Sequence, residues 1–324
     1  MKKAPIMRPF NVVLLESFNP EMQEKIRTLA GNKLNLIFPK DSSQTSLMAV
    51  LDEAEAVVVR AIKIQPHWLE NMPKLKIIHQ WGTGTDGIPI AEAQKRGITI
   101  ARSPGRNAPS VADLTIGLML ACRRRICVAD ARIRQGLWLE PNLYDIGRDL
   151  TGARVGLVGF GAIGQLVAKR LTGFDCEVFY TQRKGRIDHP ATFLPLDELV
   201  KKVDIISLHL PLSPETRHLF DAARLAEMRK NALIINTSRG GLIDEAALST
   251  ALHSGHLASA GLDVFSSEPL AQDAVIRQAP NTVLTTHCGG GTADNLARLV
   301  THWSENMRLF AEGQPLNPAD IVTL

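Results

Sequence analysis

The sequence predicts an α/β protein of two doubly wound parallel-sheet domains, one inserted in the other. Short apolar runs alternate with amphipathic stretches through residues 12–101. A glycine fingerprint beginning at Gly159 then opens a second strand and helix alternation. Last, an amphipathic segment at 292–312 is long enough to carry the chain back to where it began.

In the first part, 12–15, 34–38, 56–59, 75–79 and 98–101 read as strands, and 20–29, 45–51, 66–71 and 89–96 as the helices between them. Pro20, Pro66 and Pro89 stand where a helix tolerates proline, at its start. A long apolar helix at 110–125 follows, leading through 129–136 to the second sheet; Arg123, Arg124 and Arg125 suit the negative end of its dipole. The second part reads as strand 154–158, helix 162–172, strand 177–180, helix 196–202, strand 204–210, helix 221–229, strand 232–237, helix 244–253, then strands 259–264 and 282–286. The expected domains are 1–103 with 293–324, binding substrate, and 104–292, binding a dinucleotide.

Composition narrows the function classes. A chain of 324 residues that is 45% hydrophobic supports two proper cores. Met1 to Phe10 carries Lys2, Lys3 and Arg8 but no apolar stretch of signal-peptide length, and no run approaches ~18 apolar residues. A net charge of +4, spread along the chain, leaves no nucleic-acid footprint. Cys122, Cys127, Cys176 and Cys288 form no C-x-x-C pair, which suits a reducing cytoplasm, and no histidine spacing suggests a metal. Cys288 is expected to be a small packing residue.

The fingerprint is Gly159, Gly161 and Gly164 in G-x-G-x-x-G, after an apolar strand and before a helix. Gly159 serves the tight turn, Gly161 the close approach of backbone to pyrophosphate, and Gly164 the packing of helix on strand. The acidic residue usual some 20 residues further on is missing: Gln182 stands there, followed by Arg183, Lys184 and Arg186. A carboxylate would repel a 2′-phosphate and these cations would pair with one, so NADP(H) is favoured over NAD(H). The bland alternative is a solvated basic turn.

Three more strand ends carry groups that a core does not require: Arg239, Glu268 and His287. Carboxyl ends of strands in a doubly wound sheet face one crevice, so these three can converge. Reduction of a 2-oxo acid needs a hydride, a proton and a place for negative charge. Arg239 can hold carboxylate and carbonyl oxygens in its planar fork, His287 can deliver the proton, and Glu268 can orient the imidazole, favour its charged form and so shift the working pH upward. His79, beside the glycine loop, is the rival histidine, and His209 ends a strand near the cofactor.

These residues, with Asn107 to Asp113, Leu208 to Thr216 and Asn236 to Asp244, resemble the D-isomer-specific 2-hydroxyacid dehydrogenase family over nearly the whole chain. The resemblance implies a Rossmann cofactor domain inserted in a flavodoxin-like substrate domain. It also implies a cleft that closes on catalysis and a homodimer formed through the cofactor domain and the segment from Arg123 to Tyr144. It makes Arg239, Glu268 and His287 the catalytic set. Cofactor contacts would come from Gly159, Gly161, Ala162, Ile163, Gly164, Gln182, Arg183, Lys184, His209, Pro211, Thr216, Thr237, Ser238, Asp263, Gly289 and Gly290. Substrate contacts would come from Arg60, Trp81, Gly82, Thr83 and Gly84.

Two departures stand out. Asp113 replaces a usual Glu, and Gln80-Trp81 precede the glycine loop where smaller residues are common, which would set a bulky ring beside the substrate. The expected activity is reduction of a small 2-oxo acid such as glyoxylate or hydroxypyruvate to the D-2-hydroxy acid. The alternatives are a D-3-phosphoglycerate dehydrogenase, for which Arg60 and Lys63 would serve as phosphate-binding cations, and a non-enzymatic NAD(P)-sensing binding protein.

Overall fold

Five parallel strands build the first sheet: β1 (Phe10–Leu14), β2 (Leu34–Ile37), β3 (Ala56–Val59), β4 (Ile77–Gln80) and β5 (Thr99–Ala101), in the order β2-β1-β3-β4-β5. The computed structural model describes residues 9–323; Lys2, Lys3 and Arg8 lie outside the described residues. Between the strands run α1 (Pro20–Ala30), α2 (Gln44–Leu51) and α3 (Ile90–Lys95). Asn19 caps α1 by accepting from the Met22 amide at 2.8 Å, and Pro20 takes the first helical position. All four residues of β3 are buried, as a central parallel strand covered on both faces requires.

The second sheet follows α4 (Ala108–Arg123), α5 (Ile126–Arg134) and α6 (Leu143–Ile146). Its strands are β6 (Arg154–Val158), β7 (Glu177–Thr181), β8 (Thr192–Phe193), β9 (Ile205–Leu208), β10 (Ala232–Asn236), β11 (Leu257–Leu262) and β12 (Thr282–Leu284). Helices α7 (Ala162–Leu171), α8 (Leu196–Lys202), α9 (Ala222–Glu227) and α10 (Glu245–His253) cover them. The order β12-β11-β10-β9-β6-β7-β8, all parallel, is the doubly wound arrangement with one strand added at the edge. One face of this sheet packs Ala112, Ile116, Met119 and Cys122 of α4 against Val155, Leu157, Ile205 and Ile235.

The last helix, α11 (Ala293–Ala311), belongs with the first sheet. One compact unit runs up to Asn107 and resumes at Ala293; the other spans Ala108–Thr292. Leu299, Val300, Trp303 and Met307 share one face of α11 and pack on Phe10, Val12, Leu14 and Trp81. Trp303 is fully buried, and truncating such a ring to alanine costs about 3–5 kcal/mol.

Local expectations needed correction in several places. The 66–71 segment is a 3-10 turn, not an α-helix, with Trp68 and Leu69 buried. Strands expected to reach 210 and 286 stop at Leu208 and Leu284, because the residues beyond them turn out of the sheet into loops. The short strand β8 and the single helical turn at 143–146 were not expected. Trp81 does not stand free as a bulky ring: it is 5% exposed, stacked on Phe18 at 6.0 Å and tilted against Trp303 at 5.9 Å. The apolar face of α11 claims it for the core.

No helix among the described residues is long and apolar enough to cross a membrane. The apolar side chains left outside the cores concentrate in one segment, where α5 buries no residue, Trp138 is 81% exposed and Tyr144 is 94% exposed.

Candidate active site

The strand order of the second sheet reverses between β6 and β9, and the loops leaving those two strands meet there. Gly159 has φ +97°, and a Cβ on it would sit 2.4 Å from the carbonyl oxygen of His209, so both conformation and space demand glycine. A Cβ on Gly164 would meet the Gly159 carbonyl oxygen at 2.5 Å, which is why α7 can press on the β6 turn. Gly161 differs: nothing lies within 4 Å of its Cβ position, and no side chain caps the start of α7 behind it. The glycine room therefore faces outward. With Ala162 exposed and Ile163 half-buried at the helix start, these residues fit a dinucleotide pyrophosphate.

Beyond β7 the chain turns at Gln182, whose side-chain amide donates to the Gly185 carbonyl at 2.9 Å; Gly185 has φ +72°. Gln182 thus braces the turn, leaving Arg183, Lys184 and Arg186 exposed on it. The turn after β9 is held by Thr216, which donates to the Pro211 carbonyl at 2.9 Å and accepts from the Ser213 amide at 2.7 Å. Glu215 on that turn is held below the usual carboxylate range by the Ser213 hydroxyl foremost, with the charge of Arg183 adding to it. His209 pairs its Nε2 with Ser207 at 3.0 Å, and burial pushes its pKa down to about 3, so the ring is neutral.

The strand ends of β10, β11 and β12 carry Arg239, Glu268 and His287, and the structure brings them together. Nδ1 of His287 stands 2.6 Å from Oε2 of Glu268, whose Oε1 accepts from the Phe265 amide at 3.0 Å. Burial alone would raise the Glu268 carboxyl; the hydrogen bonds from His287 and Phe265, with the charges of His287 and Arg239, outweigh it and hold the group below its usual range. With Glu268 ionised, Nδ1–H of His287 donates to it and Nε2 is the nitrogen left to exchange a proton.

His287 takes a left-handed conformation, φ +50°. Asp263, 1% exposed, clasps that turn: its carboxyl oxygens accept from the Thr285 hydroxyl at 2.5 Å, the Cys288 amide at 2.9 Å and the Gly289 amide at 2.8 Å, and its carbonyl accepts from the His287 amide at 2.7 Å. Arg239 leaves β10 through a turn that buried Asn236 spans, accepting from Ser238 N–H at 3.1 Å and donating to the Arg239 carbonyl at 2.9 Å. Next to it, a Cβ on Gly240 would fall 1.8 Å from the Phe265 carbonyl carbon. The backbone bearing Arg239 therefore lies directly against the backbone leading to Glu268.

Comparison with known proteins gives this arrangement its context. Residues 116–289 match the family model described as D-isomer specific 2-hydroxyacid dehydrogenase, NAD binding domain. The chain belongs to this family. The dehydrogenase is 39% identical over 287 residues to a hydroxypyruvate reductase of Thermotoga maritima, covering 87% of this chain and 93% of that one. It is 36% identical to a D-3-phosphoglycerate dehydrogenase of Mycobacterium leprae across 88% of its own length and 54% of the relative's. Among solved structures, the TT0316 protein from Thermus thermophilus superposes with a TM-score of 0.86 at 34% identity, over 97% of this chain and all of that one.

Two further expected cofactor residues of the dehydrogenase have their side chains occupied: the Thr237 hydroxyl pairs with Thr115 at 3.0 Å, and Ser238 donates to the Leu208 carbonyl at 2.8 Å. The substrate-side candidates lie in the other unit. Arg60 is exposed directly after β3, and the half-buried Gly82, Thr83 and Gly84 follow β4, with Thr83 bonded to Ser103 at 3.2 Å and Gly105 at 3.4 Å. His79 is eliminated as a rival proton donor: it is fully buried, bonded to the Gln80 carbonyl at 2.8 Å and to Asn306 at 3.0 Å, and burial pushes its pKa down to about 3. Sequence reasoning assigned no role to Asn236 or Thr285; only their places beside Arg239 and His287 hinted at their bracing.

Proposed function

We propose that the dehydrogenase reduces a small, unphosphorylated 2-oxo acid of the glyoxylate or hydroxypyruvate kind to the D-2-hydroxy acid, with Arg239, Glu268 and His287 as its catalytic residues. The observation that carries this is the 2.6 Å Glu268–His287 pair, set on a turn that Asp263 clasps. Bound nicotinamide supplies and takes back the hydride. Arg239 fixes the substrate's carboxylate and carbonyl oxygens and balances the charge that grows on the carbonyl oxygen. Protonated His287 gives that oxygen its proton from Nε2, while Glu268 balances the imidazolium and holds the ring's orientation through Nδ1. In the reverse direction neutral His287 is the base. Arg60 and the Gly82, Thr83 and Gly84 backbone bind the substrate carboxylate; of Trp81 only the backbone is available.

NADP(H) is the favoured cofactor in this reading, supported by the exposed Arg183, Lys184 and Arg186 and the uncharged Gln182. Removing a charged partner of a 2′-phosphate costs about 1.5–3 kcal/mol, so Arg183→Ala lowers kcat/KM with NADPH roughly tenfold or more and leaves that with NADH unchanged. The exposed apolar segment with Trp138 and Tyr144 supports a homodimer; Trp138→Asp at low concentration sediments as a monomer if this segment is the contact. Four free cysteines suit a reducing cytoplasm.

The deciding experiment is turnover of glyoxylate, hydroxypyruvate, pyruvate, 2-ketogluconate and 3-phosphohydroxypyruvate, each with NADPH and NADH, beside His287→Ala. An unphosphorylated acid turned over with NADPH preferred, and lost roughly 10²-fold in the variant while cofactor binding persists, is the expected result. Turnover of the phosphorylated acid alone makes the protein a phosphoglycerate dehydrogenase. Cofactor binding without any turnover favours the sensor.

A further inference from the structure

Glu16 follows β1 and Arg60 follows β3, so both stand where the strand order of the first sheet reverses, the place at which open α/β sheets take ligands. The chain occupies that place with a carboxyl group of its own. Oε1 of Glu16 accepts from three successive backbone amides, those of Arg60 at 2.8 Å, Ala61 at 2.6 Å and Ile62 at 3.0 Å. Converging amides of this kind form a nest that binds an anion. Glu16 is 7% exposed, and its Oε2 is buried with no hydrogen-bond partner among the described residues. A buried carboxyl with one oxygen unsatisfied is costly, so what it does with the other oxygen calls for an explanation.

A second side chain grips the same peptide from the opposite side. Gln80, the last residue of β4 and also 7% exposed, donates from Nε2 to the Arg60 carbonyl at 3.0 Å. Arg60 is thus held at its N–H by Glu16 and at its carbonyl by Gln80, and Gln80 is one residue from Trp81 and the glycine loop. The Ile64 amide, donating to the Gly87 carbonyl at 2.8 Å, fixes the far end of the turn to the end of that loop. The Arg60 side chain itself is left exposed.

We propose that Glu16 and Gln80 are positioning residues that lock Arg60 and the 82–84 loop into one register for the substrate, Glu16 supplying the acceptor oxygen seated in a backbone nest. This rests on the reading of Arg60 and the loop as the substrate-binding side.

The test compares KM for the 2-oxo acid, KM for NADPH and kcat in wild type, Glu16→Ala, Glu16→Gln, Gln80→Ala and Arg60→Ala. Glu16→Ala raises the 2-oxo acid KM roughly tenfold, with kcat within about threefold and the NADPH KM unmoved. Glu16→Gln, which keeps an acceptor oxygen at the same reach, stays within about threefold of wild type. Added formate, an anion small enough for the vacated nest, lowers the KM of Glu16→Ala relative to wild type under the same salt. A normal KM in Glu16→Ala overturns the inference, as does a rise that Glu16→Gln shares and formate leaves unchanged, since that reports loosened packing. If Glu16→Ala gives no soluble protein, Gln80→Ala decides: a several-fold rise in KM at retained kcat supports the inference and an unchanged KM overturns it. Arg60→Ala separates the two readings. A normal KM there overturns the substrate-side reading and this inference with it, while a raised KM beside a normal Glu16→Ala overturns this inference alone.

Discussion

A single charge decides how the proposed proton donor works. Glu268 is held ionised below the usual carboxylate range, so across neutral pH it presents a fixed negative oxygen 2.6 Å from Nδ1 of His287. An opposite charge at that distance balances an imidazolium and keeps Nδ1–H directed at Glu268. In the proposed mechanism, reduction draws its proton from the imidazolium that this charge balances. Glu268→Gln keeps the size and a hydrogen-bond acceptor but removes the charge. The kcat/KM for reduction at neutral pH should fall roughly tenfold or more, while the dissociation constant of the nicotinamide cofactor stays the same. A kcat/KM near wild type would show that the proton comes from another group. The same pair sets the acid limit: because Glu268 is depressed, its protonation affects the rate only at a pH below the ordinary carboxylate range.

Elements matter here mainly at their ends, where the packing is backbone on backbone. Gly240 leaves β10 against the chain that leaves β11, and a methyl group would fall 1.8 Å from the Phe265 carbonyl carbon. No rotamer relieves a clash with a peptide, so Gly240→Ala must push the 265–268 loop away from Arg239. Stability should fall by about 1–3 kcal/mol and kcat by roughly 10²-fold, since a shift near 1 Å is enough to misalign Glu268 and His287. Urea unfolding and kcat at saturating cofactor measure the two effects separately; a kcat near wild type would mean the loop adjusts without moving the acid. What was legible in the sequence follows the same division. The demand for glycine at 159 and 164, and the convergence of the strand ends that carry Arg239, Glu268 and His287, were readable because a tight turn admits few residue types and doubly wound sheets gather their strand ends. Trp81 was misread because the rings that enclose it, Phe18 and Trp303 of α11, lie far from it in sequence, the latter more than two hundred residues further on, and local pattern carries no trace of them. Glu16 and Asn236 went unassigned because a lone polar residue at the end of a strand looks the same whether it faces water or satisfies backbone groups of a neighbouring turn. Strand ends were overrun at 210 and 286 because apolar and β-branched residues continue into loops that Asp263 and Thr216 hold by side-chain bonds.

At the scale of the whole molecule, buried neutral histidines make the fold sensitive to acid well above the range where carboxylates titrate. His79 lies in the core of the first unit as a neutral ring, with Nδ1–H donating to the Gln80 carbonyl and Nε2 accepting from Asn306, which also donates to Asp320 at 3.2 Å. Its environment has no place for a second ring proton. The folded pKa of about 3 lies below the ordinary value of 6.5, so between those values the unfolded chain binds a proton that the folded chain refuses. Stability is therefore fully present above pH 6.5 and is lost as the pH falls, by about 1.4 kcal/mol per unit for this group. Burial also lowers His302, which neighbours His79 in that unit, and His209 in the other, and both act in the same direction. From pH 7 to pH 5, His79 alone should remove about 2 kcal/mol. His79→Gln can keep both hydrogen bonds with an amide that does not titrate in this range. Urea unfolding of that variant should be less stable than wild type at pH 7, yet lose less on acidification, with a slope smaller by about one proton. An unchanged slope would mean that His79 takes up its proton within the folded state, and that the buried polar cluster opens before the unit unfolds.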